Sequence, residues 1–239
     1  MSINLVVASP TRVVACADSR VSCSDPAIPT TDNGAPKIFQ AGTSSIAGHV
    51  GIGLVAAFNH AGELRDSPRK ILEAFRGYFG HPLLAELGKP EHAEFLKRIL
   101  PGTPVVTSSF VLTQKPSGEI DLLELTFPLR AREDGTPQLG EPEITVHKEN
   151  FRPVATRSSF LNANGFVYLR CATSIEATFL QLAGQINPDL ADADILRDVD
   201  RVFQAAGAQN PACALAIGGT IVVAAIDAEG FRWLRKWSA

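Results

Sequence analysis

MSINLVVASPTRVVACADSR, residues 1–20, holds two apolar runs joined by a short turn and stopped by charge. The first run covers residues 3–8 and the second residues 13–17, with Ser9-Pro10-Thr11 between them. Two β-branched runs around a Pro-containing turn predict an antiparallel hairpin. The end of the second strand then returns to the start of the first. Asp18 and Arg20 are thereby expected near Ser2, the hydroxyl residue directly behind the initiator Met. A hydroxyl at a chain terminus, beside a carboxylate and cations, suggests an N-terminal nucleophile. In that chemistry the free α-amino group is the base for its own residue's hydroxyl.

Three further pieces follow in order. VVACADSRVS occupies residues 13–22, Ala35-Pro36-Lys37-Ile38-Phe39 follows, and then Ser45-Ile46-Ala47-Gly48-His49. Together they resemble the proteasome β-subunit-like family of N-terminal nucleophile hydrolases, over about the first fifty residues. With Ser2 in the place of the family's N-terminal Thr, Asp18 falls without a gap on its catalytic Asp. Lys37 corresponds to its catalytic Lys, and Gly48 to the Gly whose amide forms the oxyanion hole. The order and spacing carry the resemblance, since each motif alone is unspecific.

The resemblance implies one domain over residues 1–239, with an α+β fold: a four-layer αββα sandwich of two antiparallel sheets between helix layers. Periodicity alone implies only α+β layering. The family further implies self-association into a ring or similar closed homo-oligomer, a peptide or unfolded-protein substrate, and an ATPase unfoldase as a further partner.

Composition sets bounds on function. The chain is 45% hydrophobic and 20% charged, ordinary for a globular protein. A net charge of −3 with scattered Lys and Arg favours neither nucleic acid nor an anionic membrane surface. No apolar run approaches the roughly 20 residues of a membrane span. The N-terminus has no basic stretch and no cleavage site of a signal peptide, so a cytoplasmic protein is expected. Cys16, Cys23, Cys171 and Cys213 form no CxxC pair, and the five His have no ligand spacing. Buried free thiols, no metal and no cofactor are therefore expected.

Along the chain, residues 37–40 and 44–48 read as short strands, and residues 49–60 as helical. Asp66-Ser67-Pro68 starts a helix, and a second helix covers residues 90–100. Residues 105–114 and 119–127 form a hairpin around Lys115-Pro116-Ser117-Gly118. Residues 166–186 and 189–206 read as helices, the first apolar around much of its circumference. Residues 212–227 and 231–237 read as a closing strand pair.

The expected chemistry gives each residue a role. A Ser hydroxyl needs a base at neutral pH, and the α-amino group has an ordinary pKa near 7.7–8.0. Lys37 lowers that value, Asp18 holds Lys37, and Arg20 shares the ion pair. The Gly48 amide stabilises the oxyanion. The chemistry requires removal of Met1. The bland readings make Ser2 a small residue after the initiator, Asp18-Ser19-Arg20 a strand-end turn, and Lys37 a solvated loop residue. Three departures from the family stand beside the motifs: Asn164 replaces its second Ser, and Ala214 and Ile217 replace a later Asp and Ser. Besides the peptidase, a catalytically silent structural or binding homologue and a small-amide amidohydrolase remain open.

Overall fold

The computed structural model describes residues 3–20, 34, 36–51, 68–77, 81–99, 105–149, 159–162, 165–171 and 173–236. The apolar run behind Ser2 forms β1 (Ile3–Ala8), and the run after the turn forms β2 (Val13–Ala17). They pair antiparallel, Asn4 opposite Ala17 and Ala8 opposite Val13. The expected hairpin is therefore present, with the expected bounds.

Further strands are β3 (Ile38–Gln40), β4 (Ser45–Gly51), β5 (Val105–Gln114), β6 (Ile120–Ala131), β7 (Pro137–Leu139), β8 (Glu143–Glu149), β9 (Ser159–Asn162), β10 (Gly165–Cys171), β11 (Val222–Asp227) and β12 (Gly230–Arg235). Helices are α1 (Pro68–Phe75), α2 (His81–Leu87), α3 (Ala93–Ile99), α4 (Thr173–Ala183), α5 (Asp192–Gln209) and α6 (Pro211–Ala216). The described strands make two sheets whose pairs are all antiparallel. One runs β12-β11-β2-β1-β10-β9; the other runs β3-β4-β5-β6-β7, with β8 also on β6. The chain is thus α+β with two antiparallel sheets.

The two-residue repeat of a strand sorts the core. On β1, Ile3, Leu5 and Val7 join Ile175 and Phe179 of α4, Ile195 and Val199 of α5, and Cys213 of α6. Val6 and Ala8 point the other way and join Ile38, Ile46, Phe110, Leu112 and Leu122 of the second sheet. A third cluster sets Val111, Leu123, Leu125 and Phe127 against Leu72 of α1, with Leu84 of α2 beside it. Both faces of β1 and β2 are therefore buried, which explains why their runs are apolar apart from Asn4.

Several sequence expectations are corrected. Residues 166–171 are not the start of a long helix: Gly165–Cys171 is β10, paired with β1 from Phe166 to Cys171, and the helix begins at Thr173. Burial on both faces makes an apolar strand look like a helix in sequence. His49, Val50 and Gly51 extend β4 rather than open a helix. Residues 211–216 form α6, because Pro211 at its first turn and the Asn210 side chain accepting from Ala212 N start a helix there. Residues 52–60, Asp66 and Ser67 lie outside the described residues. No helix among the described residues is long and apolar enough to cross a membrane.

Candidate active site

Asp18 is the first residue past β2, one step beyond the Asn4–Ala17 pair. It is wholly buried. Its Oδ1 accepts the Ile3 N–H at 3.0 Å and the Lys37 ammonium at 2.6 Å. Its Oδ2 accepts the Arg20 N–H at 3.2 Å and the Gly218 N–H at 3.4 Å. Four donors on two oxygens hold the carboxylate in one orientation. The donors come from β1, the segment before β3, the residues after β2 and the segment after α6, so the site is assembled from four parts of the chain.

Lys37 immediately precedes β3 and is 6% exposed. Its ammonium also donates to the Arg20 carbonyl. Arg20 thus contributes its backbone oxygen to the pair, while its guanidinium reaches back to the Ala214 carbonyl at 3.4 Å. A Cβ on Gly218 would overlap that guanidinium, so the absence of a side chain there lets Arg20 lie across the segment after α6. The Gly218 carbonyl takes the N–H groups of Ser19 and Arg20, and Thr220 N donates to Ser19 Oγ at 2.8 Å.

Burial dominates the electrostatics. It pushes the Asp18 carboxyl above its ordinary value, against the pull of Lys37 and the Ile3 and Gly218 N–H groups. It also lowers the Lys37 ammonium, against the pull of Asp18, and the nearby Arg20 charge adds to the lowering. The cause is the same on both sides: low-dielectric surroundings penalise each charge, and only the partner offsets it.

The expected site residues fall into three groups. Asp18 and Lys37 come together although the chain separates them by 19 residues. Ser2 and Asn164 lie outside the described residues. The next residue along from Ser2, Ile3, donates its N–H to Asp18. Ala214 is exposed on α6, and Ile217, past its end, packs against the first core cluster.

Gly48 sits inside β4, paired with Ile38 on one side and Phe110 on the other. His49 N donates to the Lys37 carbonyl and Gln114 N to the Ser44 carbonyl. The alternation of an antiparallel ladder then turns the Gly48 N–H toward Phe110 on β5. In this ladder the amide is not offered to an oxyanion near β1. A Cβ on Gly48 would overlap the Phe110 ring, which gives the glycine a packing reason of its own.

The sequence reading passed over three contributors. Gly218 supplies an N–H to Asp18. His49 joins three strands: its N–H goes to Lys37 O, its carbonyl accepts from Asn4 Nδ2 at 2.9 Å, and its Nδ1 pairs with Ser109 Oγ at 2.9 Å. Asn4 is wholly buried. Its signal was available, as a polar residue inside the run Ile3-Asn4-Leu5-Val6-Val7. Cys16, on β2 beside the site, is an inert thiol: burial pushes it up to about 12. Among the described residues, Glu86, Glu91 and the half-buried His92 form a group with ligand chemistry apart from this site, and Glu86 is paired with Lys89.

No protein-family model matches the chain, and no characterised protein matches it in sequence.

Proposed function

We propose that this chain is an N-terminal serine nucleophile hydrolase of proteasome-like type, cleaving amide bonds in peptides or unfolded chains. One observation carries the reading: a wholly buried carboxylate, Asp18, holds a buried ammonium, Lys37, and binds the N–H of Ile3, the residue joined to Ser2. A desolvated ion pair is an expensive way to end a strand. It is useful where a neighbouring amine must be kept neutral at working pH. In the proposed reaction the Ser2 α-amino group takes the hydroxyl proton and Oγ attacks the amide carbonyl. The amine then protonates the departing nitrogen, leaving an ester on Ser2. Lys37 lowers the α-amine and Asp18 fixes Lys37. With Gly48 turned to β5, the oxyanion donor is not drawn from it in this conformation.

The helices α4–α6 against one sheet and α1–α2 against the other support the finer fold reading, a four-layer αββα sandwich of the N-terminal nucleophile type. Self-association into a closed oligomer, with an unfoldase partner, belongs to the same proposal. The long apolar helix offered in the sequence for that association is replaced by β10 and α4. A second reading, a catalytically silent homologue, is favoured by the Gly48 ladder and by the exposed Ala214.

The test starts from intact mass, which must show Met1 removed. The processed protein is then assayed on fluorogenic peptides beside Ser2→Ala. Hydrolysis abolished in Ser2→Ala, with unchanged melting, is the expected result. Equal hydrolysis by both proteins refutes the nucleophile. No hydrolysis by either hands the case to the silent homologue.

A further inference from the structure

Asn4 is a polar residue in an otherwise apolar strand, two residues along the chain from Ser2. On β1, Ile3, Leu5 and Val7 face the helices, whereas Val6 and Ala8 face the second sheet. The pleat groups Asn4 with Val6 and Ala8. Its Nδ2 crosses to the second sheet and donates to the His49 carbonyl at 2.9 Å. That bond settles which way the amide lies, because only the NH₂ end can face a carbonyl oxygen. Oδ1 is turned away from His49. It is buried, and it has no hydrogen-bond partner among the described residues.

A buried carbonyl oxygen without a donor carries its full desolvation cost, and folded proteins almost always satisfy such groups with protein or ordered water. The inter-sheet space also holds other polar groups: Tyr168 OH donates to Glu124 Oε1 at 2.8 Å, and Ser108 Oγ to the same oxygen at 3.0 Å. The orphan acceptor is tied to the ion pair as well. Asn4 holds the His49 carbonyl, and the His49 N–H holds the Lys37 backbone.

We propose that Asn4 Oδ1 binds an ordered water between the two sheets and, resting on the nucleophile reading above, that this water hydrolyses the ester formed on Ser2. The water oxygen bonds to the ester carbonyl carbon and one of its protons passes to the Ser2 α-amino group. The carbon–Oγ bond then breaks, that proton goes to Oγ, and the carboxylic acid leaves. Asn4 Oδ1 accepts from the water's other hydrogen, aiming a lone pair at the carbon.

The experiment uses the full chain without Met1 and p-nitrophenyl acetate as probe. The burst of p-nitrophenol reports acylation, and the steady phase reports hydrolysis of the acetyl-enzyme. Asn4→Leu also loses the bond to His49, so the expected signature is a steady phase slowed about tenfold more than the burst, the worth of one hydrogen bond. Acetylated protein then accumulates in the intact mass, and added hydroxylamine, which needs no held water, restores turnover. A merely structural role lowers burst and steady phase together, and that outcome overturns the proposal, as does an unchanged steady phase. A crystal structure of the wild-type protein gives the second measurement: a water within about 3.2 Å of Oδ1 is expected, and a dry Oδ1 overturns the site whether or not Asn4→Leu folds. A wild-type chain that releases p-nitrophenol no faster than Ser2→Ala sinks the nucleophile reading and the catalytic half of the inference, while the crystal structure still decides the water.

Discussion

The β1–β2 hairpin carries buried ions at both of its ends, and the two ends treat them differently. At the turn, Arg12 is 8% exposed, and its guanidinium donates to Asp192 and to the Leu190 carbonyl while lying 3.6 Å from Asp227. Arg232 doubles the clasp, reaching Asp227 at 2.5 Å and Asp192 at 3.1 Å. Ser9 and Thr11 hydroxyls add bonds to Asp189. Here the acids keep contact with water: the Asp192 side chain is 47% exposed, and the two guanidinium groups hold its carboxyl below the ordinary range. At the open end both charges are desolvated, so Asp18 is pushed up and Lys37 down. The first arrangement is a clasp that anchors the turn to the start of α5 and to β11. The second opposes its own ionisation, which is the condition in which a small change near β1 shifts a proton. A half-solvated clasp keeps its charges with little penalty, whereas a desolvated pair holds each charge only through its partner.

The largest expected effect lies at the open end. Lys37→Met leaves Asp18 buried without its cation and is expected to cost about 3–5 kcal/mol in urea denaturation. The double variant Asp18→Asn/Lys37→Met is expected to recover much of that stability without recovering hydrolysis. A double variant no more stable than the single one breaks the idea that the orphaned charge is the cost. Next comes Gly48→Ala, whose methyl meets the Phe110 ring; overpacking of this kind costs about 1–3 kcal/mol. Thermal melting should show the loss, and Phe110→Leu on the same background should return part of it. An unshifted melting temperature would mean that the ring moves aside freely.

Smaller effects belong to the turn. Arg12→Met is expected to cost about 1–2 kcal/mol, because it strands the Leu190 carbonyl and one side of Asp192. A loss equal to that of Lys37→Met would erase the contrast between the two ends. The pH dependence of the clasp comes last. Asp192 has a depressed carboxyl, so its contribution is complete above the ordinary carboxylate value of about 3.9. It is lost as pH falls through the folded value. With the side chain nearly half exposed, screening limits it to under about 1 kcal/mol. Between them on β2, Cys16 carries the opposite sign. Its thiol is raised to about 12, so its contribution is complete below the ordinary thiol value and is lost as pH rises toward 12. Comparing the stability profiles of wild type, Asp192→Asn and Cys16→Ala from pH 3 to 11 separates the acid limb from the alkaline one.

Local chemistry determined a good part of this molecule from the sequence alone. A Pro turn between β-branched runs is enough to specify β1–β2, and Lys115-Pro116-Ser117-Gly118 specifies β5–β6, because a hairpin's partners are neighbours in the chain. The type residues of the candidate site were legible for the same reason: Asp18 stands where an apolar strand stops, and Lys37 stands where another starts. Tertiary structure alone decided the rest. Residues 166–171 became a strand because β1 and β9 supply its hydrogen bonds from distant parts of the chain, and an apolar run buried on both faces has no period of its own. Likewise, only the folded sheets bring Lys37 to Asp18, turn the Gly48 amide toward Phe110 and leave Asn4 Oδ1 without a partner among the described residues. A hydrogen bond across sheets depends on registers that no single segment contains, so the sequence named the groups and the packing chose their partners.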